Sequence, residues 1–388
     1  MKRLRIAMLG TRGVPARYGG FETAVEEVGK RLAARGHEVT VYCRRAPGKD
    51  DPPTQYLGMR LVQLPAARRK TLETLSHTAL SSVHAVAHGG IDVALVFNAA
   101  NAPFIPLLHA ARIPVATHVD GLEWKRAKWS GAGRKFYRVA EGLAVRWSDV
   151  LIADAAGIAD YYQQEFATPC EQIAYGAPIL DNPPCDRLDE LGLVAGEYHL
   201  VVARFEPENH VHLAVEGYVA SGARLPLVLV GSAPYADEYT ARVQELMAGD
   251  DRVRALGGIW DQDQLDQLYA HAATYIHGHS VGGTNPSLLR AMGAGTAVLA
   301  FDVSFNREVL GADGLFWSDA GDLKTLITDA EDDLADLAVR GRRLQDRAAL
   351  CYRWDEVADR YEQMCLRLAA GRRLRGPNHI GFRRIFTR

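Results

Sequence analysis

The residues best suited to chemistry in this chain lie in His277-Gly278-His279-Ser280-Val281-Gly282-Gly283-Thr284-Asn285-Pro286-Ser287-Leu288-Leu289. An apolar run, 272–276, precedes them. A helix-like run, 287–293, and a second apolar run, 297–301, follow. The pattern is strand, polar glycine loop, helix, strand. Thr284 or Asn285 caps the helix, and Pro286 takes its first position, where a missing N–H removes no hydrogen bond. Gly282 and Gly283 allow backbone turns that bring several amide N–H groups together at the helix's positive end. Such an end binds phosphate. The competing reading is an ordinary loop and cap.

Two further stretches leave strand-like runs. In Val202-Ala203-Arg204-Phe205-Glu206-Pro207-Glu208-Asn209, the fork of donors on Arg204 suits a phosphate, or else a surface pair with Glu206 or Glu208. In His118-Val119-Asp120-Gly121-Leu122-Glu123-Trp124-Lys125-Arg126, a histidine beside two acids is either an acid–base set or a hydrogen-bonded loop. From 124 to 138 the chain carries Lys125, Arg126, Lys128, Arg134, Lys135 and Arg138 among Trp124, Trp129, Phe136 and Tyr137, with no acid. That mixture fits an anionic acceptor, lipid headgroups or a solvated face with buried aromatic anchors.

Other chemistries fit less well. His277 and His279 point the same way on an extended backbone, but no further Cys or His completes a tetrahedral metal set, and Asp302 would have to be recruited. Neither GxxxxGK[ST] nor GxSxG occurs. The pairs Asp50-Asp51, Asp250-Asp251 and Asp332-Asp333 stand in polar, helix- or turn-like surroundings and read as solvent-facing charge. No metal and no resident cofactor are expected.

These stretches need a scaffold. Leu4–Leu9 reads as a buried strand, and Gly10-Thr11-Arg12-Gly13-Val14-Pro15, Arg17-Tyr18 and Gly19-Gly20 lead into a helix from about Phe21 to Arg35, with Val25, Val28 and Leu32 on one face. Gly36 ends it and Val39–Cys43 is a second strand, which makes a βαβ opening. The GxGxxG dinucleotide spacing is absent. Gly19 and Gly20 permit close approach by a ligand or simply turn the chain, and Arg12 and Arg17 favour an anion.

Strand-like runs continue at 91–97, 113–117 and 150–153, with helical patterns at 74–88 and 136–147 between them. A second series comprises 198–203, 225–230, 253–256, 272–276 and 297–301. Apolar runs without alternation predict parallel strands covered on both faces. The expectation is an α/β fold of two doubly wound domains, joined between about Ala177 and Gly196, with the active cleft between them at the C-terminal ends of both sheets. The boundaries are drawn at 1–190 and 191–351. A C-terminal helix follows at 352–370, with Trp354, Val357, Tyr361, Met364 and Leu368 on its apolar face. Residues 371–388 hold six arginines and no acid, and read as a solvated end or, with Phe382, Ile385 and Phe386, as a contact with an anionic membrane.

Composition sets outer bounds. At 48% hydrophobic and 24% charged residues the chain is globular, and a net charge of -2 gives no case for nucleic acid as a partner. Five scattered cysteines form no CxxC pair, which suits a reducing cytoplasm. Lys2, Arg3 and Arg5 precede an apolar stretch that ends at Leu9, too short for a signal peptide core, and no run reaches the roughly 18 residues of a membrane span. A soluble protein results, able to touch a membrane from the cytoplasmic side.

The chain resembles the GT-B glycosyltransferases of family 4, which retain anomeric configuration and use nucleotide sugars. More narrowly, it is similar to a bacterial subgroup that includes rhamnosyltransferases of surface-polysaccharide assembly. GTRGVPARYGGFET (10–23), HVDGLEWKRAKW (118–129), LIADAAGIADYY (151–162), VARFEPENH (202–210), HGHSVGGTNPSLL (277–289) and FNREV (305–309) carry the resemblance in order along nearly the whole chain. It implies a GT-B fold of two Rossmann-like domains, the N-terminal one on the acceptor side and the C-terminal one holding the nucleotide sugar. It also implies that 352–370 packs back on the N-terminal domain.

The same resemblance distributes roles. Arg204 would bind diphosphate, and Gly283, Thr284, Asn285 and Ser287 would form the phosphate end of the helix. Gly19 and Gly20 would approach the donor phosphate and the acceptor, His118 and Asp120 would contact the transferred sugar or acceptor, and Glu308 would join the donor site. The expected reaction moves a sugar, with rhamnose from dTDP-rhamnose as the leading choice, to a carbohydrate acceptor, lipid-linked and at the inner face of the membrane. Peripheral membrane contact would run through 124–138 or 371–388. The alternatives are another donor with a small-molecule acceptor, or a noncatalytic sugar-nucleotide-binding protein.

The chain departs from the family pattern in two ways. Asn209 stands where many members carry a lysine on the diphosphate, and Arg12 or Arg307 is the expected substitute. Arg290 stands where a glutamate grips the ribose, and Gly282 where the first glutamate of the pair would be. Arginine accepts no hydrogen bond from a hydroxyl. A thymidine diphosphate donor, extra phosphate affinity or weakened activity each accounts for Arg290.

Overall fold

The computed structural model describes residues 2–16, 19–45, 53–67, 70–119, 121–126, 129, 131–231 and 237–376, without the side chains of residues 70, 71 and 237. They form two compact units, one within Met1–Tyr175 and Trp354–Arg388, the other Gly176–Arg353.

The first unit is built on β1 (Arg5–Leu9), β2 (Glu38–Arg44), β3 (Gln55–Tyr56), β4 (Met59–Leu64), β5 (Val93–Phe97), β6 (Val115–His118), β7 (Val150–Ala153) and β8 (Glu171–Gln172). Their order across the sheet is β3-β4-β2-β1-β5-β6-β7-β8. All neighbours run parallel except β3 and β4. Every residue of β5, β6 and β7 is buried, as helices on both faces require.

The helix Trp354–Ala369 completes this unit although it follows the other one in sequence. It turns Val357, Ala358, Tyr361, Met364, Cys365 and Leu368 inward at helical spacing, against the helix Gly20–Ala34 and β5. Glu362, buried on the same helix, accepts from Arg35 Nη1 at 2.8 Å and meets His37 Nε2 at 2.9 Å. The Leu4 amide donates to His37 Nδ1, so the ring proton sits on Nε2 and the neutral tautomer satisfies both partners.

Gly371–Gly376 continues along the first unit. Leu374 N donates to Asp149 O at 2.9 Å, and Arg373 and Arg375 pair with the buried Asp149 carboxylate, which also accepts from His109 Nε2 and Val115 N. Burial raises the Asp149 pKa, but the His109 and Val115 hydrogen bonds and the arginine charge outweigh it and hold the carboxyl below its usual range. The tail thus begins docked. Phe382, Ile385 and Phe386 lie outside the described residues, as do Asp50 and Asp51.

The second unit holds β9 (His199–Val202), β10 (Leu227–Val230), β11 (Val253–Gly257), β12 (Thr274–His277), β13 (Ala297–Phe301) and β14 (Leu315–Trp317), all parallel, in the order β11-β10-β9-β12-β13-β14. Its core gathers Val201, Val215, Leu227, Leu229, Ile276, Leu299 and Trp317, whose indole N–H donates to Leu299 O at 3.1 Å. Residues 176–190, grouped with the first domain from sequence, belong to this body. Leu180 N donates to Gly293 O, and Arg187 N to Gln267 Oε1. Both units are doubly wound.

Candidate functional site

In the second sheet the strand order reverses between β9 and β12, so the loops leaving their C-terminal ends flank the switch point at which such sheets take ligands. The β9 loop carries Arg204 and Asn209, and the β12 loop carries His279 to Asn285. They are bonded to each other at several points. Asn209 Nδ2 donates to Arg204 O at 2.8 Å, and its Oδ1 accepts from His279 Nδ1 at 2.7 Å. His210 Nδ1 donates to Gly278 O, and Ser280 N to Glu208 O. Only glycine fits at 278, where a Cβ would lie 2.1 Å from Asn209 O. Asn209 therefore fastens the two loops together, a role invisible in sequence because His279 is seventy residues away.

Beyond these bonds the β12 loop turns at Gly282, with φ +135, and passes through buried Gly283 and Thr284. Asn285 caps the helix Pro286–Gly293, its side chain accepting from Ser287 N at 2.9 Å, with Pro286 in the first turn. The Arg204 guanidinium lies 3.3 Å from Glu206 and keeps 35% of its side-chain surface exposed. Arg204, Gly283, Thr284, Asn285 and Ser287 are thereby brought to one sheet edge. The edge offers a guanidinium and the positive end of a helix, which together suit a phosphate.

The remaining residues of this unit are placed differently. Arg290 turns aside to the neighbouring helix Gln262–Ala270, where it pairs with Asp266. Glu308 lies on the helix Ser304–Leu310 after β13, half-buried, with its carbonyl accepting from Arg347 Nη2 at 2.9 Å. Arg307 is clamped on Asp302 by bonds of 2.5 and 2.6 Å. His277 is buried beside the Tyr275 hydroxyl, and burial pulls its pKa down to about 3. Among the described residues no group of three metal-ligating side chains forms.

In the first unit the order reverses between β1 and β5. Two glutamates of the helix Gly20–Ala34 hold the β1 loop, Glu22 accepting from Arg12 N at 3.0 Å and Glu26 from Ala16 N at 2.6 Å. Gly19 caps that helix in an extended conformation, and Gly20 is its first residue. The Arg12 guanidinium lies 3.5 Å from Glu73, which also takes Arg44 at 2.9 Å.

His118 ends β6 with its ring among Phe21, Phe97, Tyr175 and Tyr361. Burial lowers its pKa to about 3, which makes it a neutral hydrogen-bonding group at physiological pH. Asp120 lies outside the described residues, as do Arg17 and Lys128. Glu123 is committed to Arg126 at 2.8 Å and to the Trp129 indole at 3.2 Å, while Arg138 stacks on Trp124 and donates to Tyr161. Lys125 lies 5.5 Å from the Trp124 ring centre, so three of the described basic residues in 124–138 are engaged internally, and Arg134 and Lys135 remain exposed. No helix among the described residues is long and apolar enough to cross a membrane.

Residues 19–176 match the model of the glycosyl transferase 4-like domain, and residues 194–337 that of glycosyl transferases group 1. The chain is 28% identical over 365 residues to the phosphatidyl-myo-inositol mannosyltransferase of Mycolicibacterium smegmatis, across 89% of this chain and 86% of that one. It is 29% identical over 122 residues to the O-antigen chain mannosyltransferase B of Escherichia coli, across 30% of this chain and only 32% of that enzyme's length. Among solved structures, Anabaena HepE in complex with UDP-glucose superposes with a TM-score of 0.75 at 17% identity, covering 95% of this chain and all of that one, which establishes a shared fold.

Proposed function

We propose that this chain, a glycosyltransferase of GT-B fold related to family 4 and to mannosyltransferases, transfers a sugar with retention from a nucleoside diphosphate to a hydroxyl of a lipid-linked carbohydrate. The reading rests on the convergence of Arg204 with the capped helix at Asn285–Ser287 on the switch-point edge of the second sheet. As the bond from the anomeric carbon to the β-phosphate oxygen breaks, negative charge collects on that phosphate. A guanidinium and helix-end amides stabilise the charge most when it is fully developed, which lowers the barrier. The departing phosphate oxygen takes the acceptor hydroxyl's proton, and the acceptor oxygen bonds the anomeric carbon on the same face, so no side-chain base is required.

Gly283 and Thr284 shape the phosphate loop in this proposal, Glu308 lies beside the donor, Gly19 and Gly20 approach the phosphate and the acceptor, and His118 and Asp120 contact sugar or acceptor. The preferred donor is dTDP-rhamnose. That choice follows the resemblance of the motifs at 10–23, 118–129 and 277–289, and the two mannosyltransferases described above carry an O-antigen chain and phosphatidyl-myo-inositol in their names. The site of action is the cytoplasmic face, in surface-polysaccharide assembly.

The test incubates the purified chain with dTDP-rhamnose, UDP-glucose and GDP-mannose, each with and without a polyprenyl-diphosphate saccharide, and reads product anomer by NMR. Retained transfer from dTDP-rhamnose to the lipid-linked acceptor is expected. Donor binding with neither transfer nor hydrolysis in any combination would instead make the chain a binding protein.

A further inference from the structure

At the end of the first sheet opposite its ligand edge, the chain encloses a cavity that sugar transfer leaves without a role. Val150 and Glu171, the first residues of the parallel strands β7 and β8, stand on one side of it. Met364 and Arg367 of the helix Trp354–Ala369, with Arg372, Arg373 and Leu374 beyond it, form the other. His118 and the β1 loop lie at the C-terminal ends of these strands, the cavity at the N-terminal ends. The helix stops at Gly371, which takes a left-handed conformation with φ +79. Gly371 N donates to Leu368 O and Arg372 N to Arg367 O, both at 2.9 Å. That reversal carries the next residues back over the sheet end. Leu374 N bonds Asp149 O, and Gly376 is pressed so closely on Ala167 that a Cβ would lie 2.5 Å from its carbonyl oxygen. Backbone contacts on both sides thus hold the arginines in position.

Charge around the cavity is unbalanced. Three guanidiniums line it with one carboxylate, Glu171, whose two oxygens both accept from Arg367 Nη2 at 2.6 Å. Arg373 meets Asp149 at 3.0 Å and keeps 54% of its side chain exposed, and that buried carboxylate already serves His109, Val115 and Arg375. The Arg372 side chain is exposed and has no partner among the described residues. Val150 and Met364 give the cavity an apolar floor, and Leu374, 40% exposed, an apolar lip. Its volume, about 330 Å³, is that of a small ligand site.

We infer that this cavity binds a phosphate ester bearing a small apolar group, at a site separate from sugar transfer. Guanidinium forks match phosphate oxygens two at a time, and three of them around one enclosed space can hold a dianion that a lone surface arginine would lose to water and salt. The apolar floor takes the alkyl or aryl part of the ester, which inorganic phosphate lacks. A soluble ester and the headgroup of an anionic lipid present this same chemistry. The site stands independently of the proposed transfer.

The test uses the full chain as wild type, Arg372→Ala, Arg367→Gln and Arg204→Ala. Calorimetry measures phenyl phosphate and inorganic phosphate, and flotation measures capture by phosphatidylcholine vesicles with and without phosphatidic acid. Wild type should bind phenyl phosphate about tenfold more tightly than inorganic phosphate. Arg372→Ala, which removes a side chain that supports nothing else, should weaken phenyl phosphate about tenfold, and Arg367→Gln should weaken it as well. Arg204→Ala, at the donor edge, should leave that binding unchanged. Capture by phosphatidic acid vesicles that Arg372→Ala abolishes would assign the ester to a lipid, and binding of phenyl phosphate without capture would assign it to a soluble molecule. The inference is overturned if wild type binds neither phenyl phosphate nor the vesicles, or if Arg372→Ala and Arg367→Gln leave binding unaltered. Loss of phenyl phosphate binding in Arg204→Ala alone would overturn it too, by returning the phosphate to the donor edge.

Discussion

The hydroxyl of Tyr361 lies 2.9 Å from Nδ1 of His118, joining residues 243 positions apart inside one unit. The bond fixes the histidine ring at the C-terminal end of β6 and leaves Nε2 as its remaining hydrogen-bonding position, buried and without a partner in the described residues. Tyr361→Phe strands Nδ1 as well. Equilibrium urea unfolding should show a loss of about 1–2 kcal/mol with little change in slope, and a neutral substitution would mean that this bond contributes nothing to holding the ring.

Acid should destabilise the protein through histidines that are buried uncharged. Burial lowers His118 and His277 to about 3, and His77 to about 4, from an unfolded value near 6.5. Above 6.5 both folded and unfolded states carry neutral rings, so the histidines add no pH dependence. As pH falls from 6.5 towards the folded values, the unfolded state takes up protons that the folded state refuses, and stability drops with a sign opposite to that of a paired histidine. At pH 5 the loss is about 1–2 kcal/mol for each ring near 3. Glu331 works in the same direction. Burial opposes its ionisation, but the hydrogen bond from His199 and those from the Arg224 and Leu225 amides bring it to about 2, so its contribution fades as pH falls below the ordinary glutamate value. Thermal melts of wild type and His277→Gln between pH 7.5 and 4.5 should converge as the pH is lowered. Parallel curves would discount the buried ring.

Asn209 stands where a lysine is common in the resembling family, yet it joins Arg204 to His279. Of the two arginines expected to replace that charge, Arg307 is held by Asp302 and Arg12 is paired with Glu73. Asn209→Lys should therefore lower donor affinity by about tenfold, because it uncouples the two loops while adding a cation. A gain in affinity on this substitution would show that charge, and not loop geometry, limits binding.

Arg204→Ala should reduce nucleoside diphosphate affinity about tenfold to a hundredfold, with Arg204→Lys only partly restoring it, because an ammonium cannot reproduce the two-pronged contact. Titrations at low and high salt distinguish this from unfolding, since the wild-type advantage should shrink as salt rises.

Asp149 offers a check on the docked chain end. Replacing it by Asn removes the charge that holds Arg373 and Arg375. Trypsin should then cut after Arg372, Arg373 or Arg375 earlier than in wild type, as followed by mass spectrometry. Unaltered cleavage would mean that the main-chain bond from Leu374 is sufficient on its own.

The strands that hold the sites were legible because both faces are covered. Val150–Ala153 and Ala297–Phe301 are continuous apolar runs and coincide with β7 and β13. Met59–Leu64 escaped notice because, next to the two-residue edge strand β3, it carries Arg60 and Gln63 among its apolar residues, and Leu315–Trp317 because three residues carry no period. At the candidate site, the Asn285 cap and Pro286 are local features with a spacing that sequence displays directly. The partners of Arg290, His118 and Asn209 are not, since Asp266, Tyr361 and His279 reach them only after the strands have been ordered. A helix 19 residues long, Lys70–His88, likewise hides which of its polar residues go inward: His77, Thr78, Ser81 and Ser82 are all buried.

One body of this protein is continuous in sequence and the other is interrupted by it, since Trp354–Ala369 belongs with residues up to Tyr175. During synthesis the helix emerges only after all of Gly176–Arg353 has been made. Until then His118 lacks Tyr361, and His37 and Arg35 lack Glu362. All strands of the intervening unit precede Trp354, so its sheet can form as the chain lengthens, and a long insertion adds little to the entropy of the final closure because that cost grows only with the logarithm of loop length. The half of the protein that leaves the ribosome first is thus the half that is finished last.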